Sequence, residues 1–291
     1  MTMPKMLKKF LPGAALCLLL VPVLAFMLSG CADKDARKKA EARVALCLEH
    51  FDERRYPMAL AECLKAEEAD DEYPEVYNAK GLIYMRQGRF TEAIENFQKG
   101  LDLDPKLSNA RTNLGIAYAE IGRLDEALEQ FEIALSDDLH RSPDVTLTNM
   151  CEVYLRKKQY AKAVDYCRQA IDRNRAQCFA HYTLGRAYVE LGQPRSTIDE
   201  MGLAVKYCPN WYDPVFLRGE MRLKLKQFPQ ACNDFWDVID ADPEGKLAIK
   251  ARRYTERLKC TPRPVEPTEA EKSRKSERNP RNNAQPLPYA R

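Results

Sequence analysis

The chain has 291 residues, of which 45% are apolar, so it can bury a core as one large domain or two average ones and is not a disordered protein. Its formal charge of +3 comes from the leading segment, where Lys5, Lys8 and Lys9 stand without an acid. Taking these three from the 46 bases leaves 43, equal to the 43 acids. A body with zero net charge has no electrostatic footprint for nucleic acid, whose condensed counterions must be displaced by Lys and Arg, which excludes that class of partner.

Residues 1–30 have the three parts of a secretory signal: a basic start, an apolar stretch from Phe10 to Leu28, and small residues at the end. The apolar stretch approaches the length of a spanning helix, but Pro12, Gly13 and Pro22 interrupt it. Leu28, Ser29 and Gly30 before Cys31 resemble the lipobox of bacterial lipoproteins, in which the Cys thiol is acylated and the chain is cut in front of it. The resemblance implies a covalent lipid on Cys31, and several acyl chains on one residue anchor a protein without further membrane contact. Ala32 rather than Asp follows that cysteine, which points to the outer membrane, with the body facing the periplasm. Residues 31–39 are expected to be a lipidated tether outside the folded repeats, too short even if fully extended to hold the folded part far from the bilayer.

Residues 40–245 repeat with a period of 34. Gly81 and Gly115 stand 34 apart, as do Gly185 and Gly219, and the interval between the pairs holds one repeat with two extra residues. Six units begin near Ala40, Pro74, Ser108, Asp144, Cys178 and Tyr212. At the eighth position stand Cys47, Gly81, Gly115, Cys151, Gly185 and Gly219, where only a small side chain lets one helix approach the next. Position twenty carries Ala59, Ala93, Ala127, Ala163, Thr197 and Ala231 for the same reason. Tyr84, Tyr118, Tyr154 and Tyr188 at position eleven, with Phe97, Phe131 and Phe235 at position twenty-four, fill the spaces between. Pro105, Pro209 and Pro243 close their helices.

This pattern resembles the tetratricopeptide repeat (TPR), which implies an all-α, right-handed superhelical solenoid of six helical hairpins. Residues 246–260 read as an amphipathic capping helix over the sixth hairpin, presenting Leu247, Ile249, Ala251, Tyr254 and Leu258. Residues 261–291, rich in Pro, Ser, Asn and charge, read as a disordered tail.

Eight cysteines remain after Cys17 and Cys31, an even number that fits disulfides in an oxidising compartment. Cys47 and Cys63 occupy positions eight and twenty-four of one hairpin, and Cys151 and Cys167 the same positions of another. Cys178 and Cys208 fall at one end of a third hairpin, and Cys232 is within reach of Cys260 on the cap. Buried free thiols in place of Gly, Ala or Phe are the other reading. No two of these cysteines have zinc-ligand spacing, so no metal site is expected. No nucleophile elbow, phosphate loop or His pairing marks a catalytic centre, so neither catalysis, a cofactor nor a small-molecule substrate is expected.

In TPR proteins the first helices line a concave face through positions two, five, nine and twelve. Here those positions offer Val44, Leu48, Phe51, Asn78, Leu82, Met85, Thr112 and Ile116, and further along Phe179 and Tyr182, as a groove for a protein partner. Position twelve also packs between hairpins, so Phe51 and Met85 serve either groove or core. Lipobox, tether and six repeats together resemble the pilotins of type IV pilus systems, the PilF, PilW and Tgl group, with Tgl the nearest. That resemblance implies binding of secretin subunits, their delivery to the outer membrane and multimerisation, and support of pilus-dependent motility. The alternatives are a TPR lipoprotein of the β-barrel assembly machinery and a scaffold for cell-wall enzymes.

Overall fold

The computed structural model describes residues 34–137 and 140–262. The expected signal segment, Cys31 and nearly all of the expected C-terminal tail lie outside the described residues. Among those described, all regular structure is helical. The chain forms two compact units, divided after Gln193.

The first unit contains α1 (34–52), α2 (Tyr56–Ala69), α3 (Pro74–Arg86), α4 (Phe90–Leu103), α5 (Ser108–Glu120), α6 (Leu124–Leu135), α7 (Pro143–Arg156), α8 (Tyr160–Arg173) and α9 (Cys178–Glu190). The second contains α10 (Pro194–Tyr207), α11 (Tyr212–Lys224), α12 (Phe228–Ala241) and α13 (Lys246–Leu258). The even-numbered helices α4, α6, α8 and α12 each pack on the helix before them as a hairpin, and successive first helices α3, α5, α7 and α9 also touch.

The small residues at position eight do what their size predicts. A Cβ placed on Gly115 would lie 2.5 Å from the Phe131 ring, and one on Gly219 would lie 2.9 Å from Phe235. The rings of Phe97, Phe131 and Phe235 are fully buried, so each of these three hairpins closes around an aromatic ring seated directly on bare backbone. Ala59, Ala93, Ala127, Ala163 and Ala231 are likewise inaccessible to solvent. Two of the tyrosines of position eleven have side-chain donors to their hydroxyls: Gln98 Nε2 donates to Tyr118 at 3.0 Å, and Arg168 Nη2 to Tyr188 at 3.0 Å. The guanidiniums of Arg89 and Arg123 stand 4.5 Å above the rings of Tyr84 and Tyr118.

The turn inside every hairpin contains one residue in left-handed conformation: Arg54, Gly88, Gly122, Lys158, Gly192 and Lys226. These stand one repeat apart, and three of the six carry side chains in a region that favours glycine.

The tether expectation is corrected from residue 34 onward, because 34–39 are helical and continuous with α1. The run from Lys34 to Leu46 contains no Gly or Pro and is rich in Ala, Lys and Arg, all good helix formers. Arg37 fixes this turn in place by pairing with Asp70 and lying 4.7 Å over the Tyr73 ring.

In the second unit α13 starts 34 residues after α11, so the cap has the register of a seventh first helix, with no second helix after it among the described residues. Ala248 and Ala251 bury its inner face, and the Tyr254 ring stacks on Phe235 at 4.7 Å and 6°. Arg218 and Arg222 replace the apolar and aromatic residues of other repeats, and both grip the buried Asp234 of α12. Arg218 donates at 3.1 and 2.7 Å, and Arg222 at 2.8 Å to each carboxylate oxygen. Burial pushes the Asp234 carboxyl above the usual carboxylate range, and the two guanidiniums oppose that push.

Candidate partner-binding surface

The proposed groove residues divide into three groups. Leu48 on α1 is 36% exposed, and Leu82, Met85 and Ile116 on α3 and α5 are half-buried with their inner atoms on the core of the first unit. These four are the apolar positions of the expected groove that remain open to solvent. Phe51 packs on the core around the first hairpin, with Tyr56 at 5.9 Å and Arg86 at 5.9 Å above its ring. Phe179 on α9 is 53% exposed and meets Tyr182 edge-on at 6.3 Å.

Two of the expected groove residues belong elsewhere. Val44 is buried among Cys47, Ala79 and Ile83, because the first helix leans on α3 at that point. Thr112 is buried too, with its hydroxyl 3.0 Å from that of Thr146. Both face the neighbouring hairpin.

Thr112 is part of a feature that inspection of single repeats does not reveal. Polar side chains on adjacent first helices pair across one repeat: Asn113 Nδ2 donates to Asn78 Oδ1 at 2.9 Å, and Arg186 Nη1 reaches Glu152 Oε2 at 2.6 Å. Asn78 is therefore half-buried and occupied. A comparison of residues about 34 apart for complementary groups would find these rungs. They join the first helices sideways.

The rung at Thr146 extends into the two-residue insertion, where His140 Nε2 lies 2.7 Å from Thr146 Oγ1 and Nδ1 is buried. Burial holds the His140 imidazole below its ordinary value, against the pull of Asp137 and Asp144. The unfolded chain thus binds a proton more readily than the folded one, so stability falls as pH drops through about 6.5. His140→Gln should flatten that decline in melting temperature relative to the native chain. Parallel pH profiles would refute this assignment.

The eight cysteines are all oxidised. Disulfides join Cys47 to Cys63, Cys151 to Cys167, and Cys232 to Cys260; Cys178 and Cys208 are disulfide-bonded as well. The first two bonds lie inside their hairpins and the third ties the cap to α12.

Helical hairpins of this register, closed on small residues, define an all-α solenoid of tetratricopeptide type. Comparison with known proteins agrees: residues 81–122 match a TPR repeat model, and residues 147–177 a tetratricopeptide repeat model. The chain is 34% identical over 121 residues to the chloroplast TPR-domain protein PYG7 of Arabidopsis thaliana, a match spanning 38% of this chain and 40% of that one. Among solved structures it is similar to PilW, a widely conserved type IV pilus biogenesis factor, with TM-score 0.67 and 17% identity over 73% of this chain and 98% of PilW. It is similar also to Pseudomonas aeruginosa PilF, with TM-score 0.65 and 18% identity over 76% of this chain and 98% of PilF. A chain of the APC/C hetero-tetramer Cut9–Hcn1 gives TM-score 0.66 and 16% identity over 79% of this chain but 45% of its own. At such identities the likeness is one of fold.

Proposed function

We propose that the protein is an outer-membrane lipoprotein, anchored through Cys31, that binds secretin subunits and promotes their localisation and multimerisation in type IV pilus biogenesis. The observation carrying this reading is the extent of the likeness to PilW and PilF, 98% of each chain, whereas the Cut9–Hcn1 chain is matched over less than half. The lipobox before Cys31 supplies the anchor, and oxidised cysteines throughout the body suit an exported protein. The strip of Leu48, Leu82, Met85 and Ile116 receives apolar side chains of the client, as a groove receives an amphipathic helix.

Deleting the gene and immunoblotting for heat-resistant secretin multimers tests the reading. Loss of multimers and of pili is expected; unchanged multimers with normal pili would remove it. The surface is tested by Leu48→Glu with Leu82→Glu, which puts two charges where an apolar partner must desolvate them and should weaken client binding at least about tenfold. Intact binding by that folded double variant would place the client elsewhere.

A further inference from the structure

The second unit holds a recess of about 440 Å³ between α11 and α13, lined by Phe216, Glu220, Lys250, Arg253, Tyr254 and Arg257. Its floor is aromatic, with Phe216 and Tyr254 meeting edge-to-face at 5.9 Å. Its rim is cationic. Lys250, Arg253 and Arg257 are exposed on successive turns of α13, and among the described residues none has an ion-pair partner. Glu220, the one carboxylate in the lining, accepts a hydrogen bond from the Tyr254 hydroxyl at 2.8 Å. Structural needs do not explain the three cations, because the buried side of α13 is supplied by Ala248, Ala251 and Thr255.

We propose that this recess is a binding site for an acidic helical segment of a protein partner. Three cations face one carboxylate, so the site selects negative charge. From Lys250 to Arg257 the helix rises about 10 Å at 1.5 Å per residue. That span equals two turns of a partner helix, so carboxylates at i, i+4 and i+7 fall opposite the cations. The concavity and its aromatic floor accept one apolar side chain from between those carboxylates, a feature that a flat anionic bilayer does not use. The site lies on the second unit, and the proposal does not depend on the pilus reading.

The test uses the lipid-free body, residues 32–291, and a fluorescein-labelled helical peptide with Glu at i, i+4 and i+7 and Leu between them. Its control carries Gln at the three Glu positions. Fluorescence anisotropy should show binding of the Glu peptide that weakens with added NaCl and is lost with the Gln control. Lys250→Glu, Arg253→Glu and Arg257→Glu together should weaken it about tenfold or more. Arg253→Lys with Arg257→Lys should retain binding, and Leu48→Glu should leave it unchanged. The three rim positions are exposed, so equal melting temperatures confirm that the variants fold. Equal binding of both peptides, or of the triple variant and the native body, overturns the proposal. So does sedimentation with phosphatidylglycerol vesicles, sensitive to the same triple variant, in a protein that ignores the Glu peptide.

Discussion

Cys167→Ala is expected to lower the stability of the first unit by about 3 kcal/mol, the value of cross-linking a loop of this length, whereas Cys151→Gly combined with Cys167→Phe should restore most of it. The two cysteines lie 16 residues apart, with Cα atoms 5.3 Å from one another and no solvent access. They occupy positions eight and twenty-four, where the second, third and sixth repeats put a glycine and a phenylalanine. In those repeats the Phe131 and Phe235 rings fill the space that a side chain on Gly115 or Gly219 would need. A disulfide and a Gly–Phe contact are thus two ways of closing one gap between the same two helices. The first links them covalently and the second fills the space with a buried ring. The single variant loses the link and leaves a cavity; the paired variant supplies the ring together with the bare backbone on which it must sit. Thermal melts with and without dithiothreitol check this. The paired variant should also lose that part of the reductant sensitivity due to Cys151–Cys167. A paired variant no more stable than Cys167→Ala would show that the fourth hairpin cannot accept the packing of the third.

That interchangeability explains what the sequence reveals by itself. Helix starts at Pro74, Ser108, Cys178 and Tyr212 coincide with α3, α5, α9 and α11, because close approach at Gly81 or Gly115 admits few residue types and so leaves a mark every 34 residues. Contacts between hairpins leave a weaker mark. Val44 and Thr112 belong to the same periodic set as Leu48 and Ile116, yet the next hairpin covers the first two and leaves the others partly open. Arg54, Lys158 and Lys226 take the left-handed turn conformation without a glycine to announce it. The helix at 34–39 follows from a local run of good helix formers, but the pairing that docks it, Arg37 with Asp70, 33 residues away, is one that no local pattern contains. The cationic rim of α13 is equally hidden, since an amphipathic helix with Leu247 and Tyr254 on it accounts for its apolar residues and leaves its charges looking like an ordinary solvated face.

Arg218 and Arg222 show how far a departure from the pattern can be understood once its partner is known, and Asp234→Ala should be among the most damaging single changes in the second unit, costing about 3–5 kcal/mol. Asp234 is 1% exposed, while the side chains of Arg218 and Arg222 are 16% and 23% exposed. Removing the carboxylate leaves two guanidiniums in a poorly hydrated place with no anion, and neither side chain can give up its charge. The three charges stand where the third repeat has Leu114, Tyr118 and Gln130. Arg218→Leu, Arg222→Tyr and Asp234→Gln together should therefore be tolerated, within about 1 kcal/mol of the native chain or above it, since replacing a buried ionic group by well-packed side chains is often neutral or stabilising. Urea unfolding of the two variants separates the possibilities. A loss below about 1 kcal/mol for Asp234→Ala would mean that water already screens the group. A large loss in the triple variant would mean that the cap, through Tyr254 on Phe235, requires the ionic arrangement beneath it.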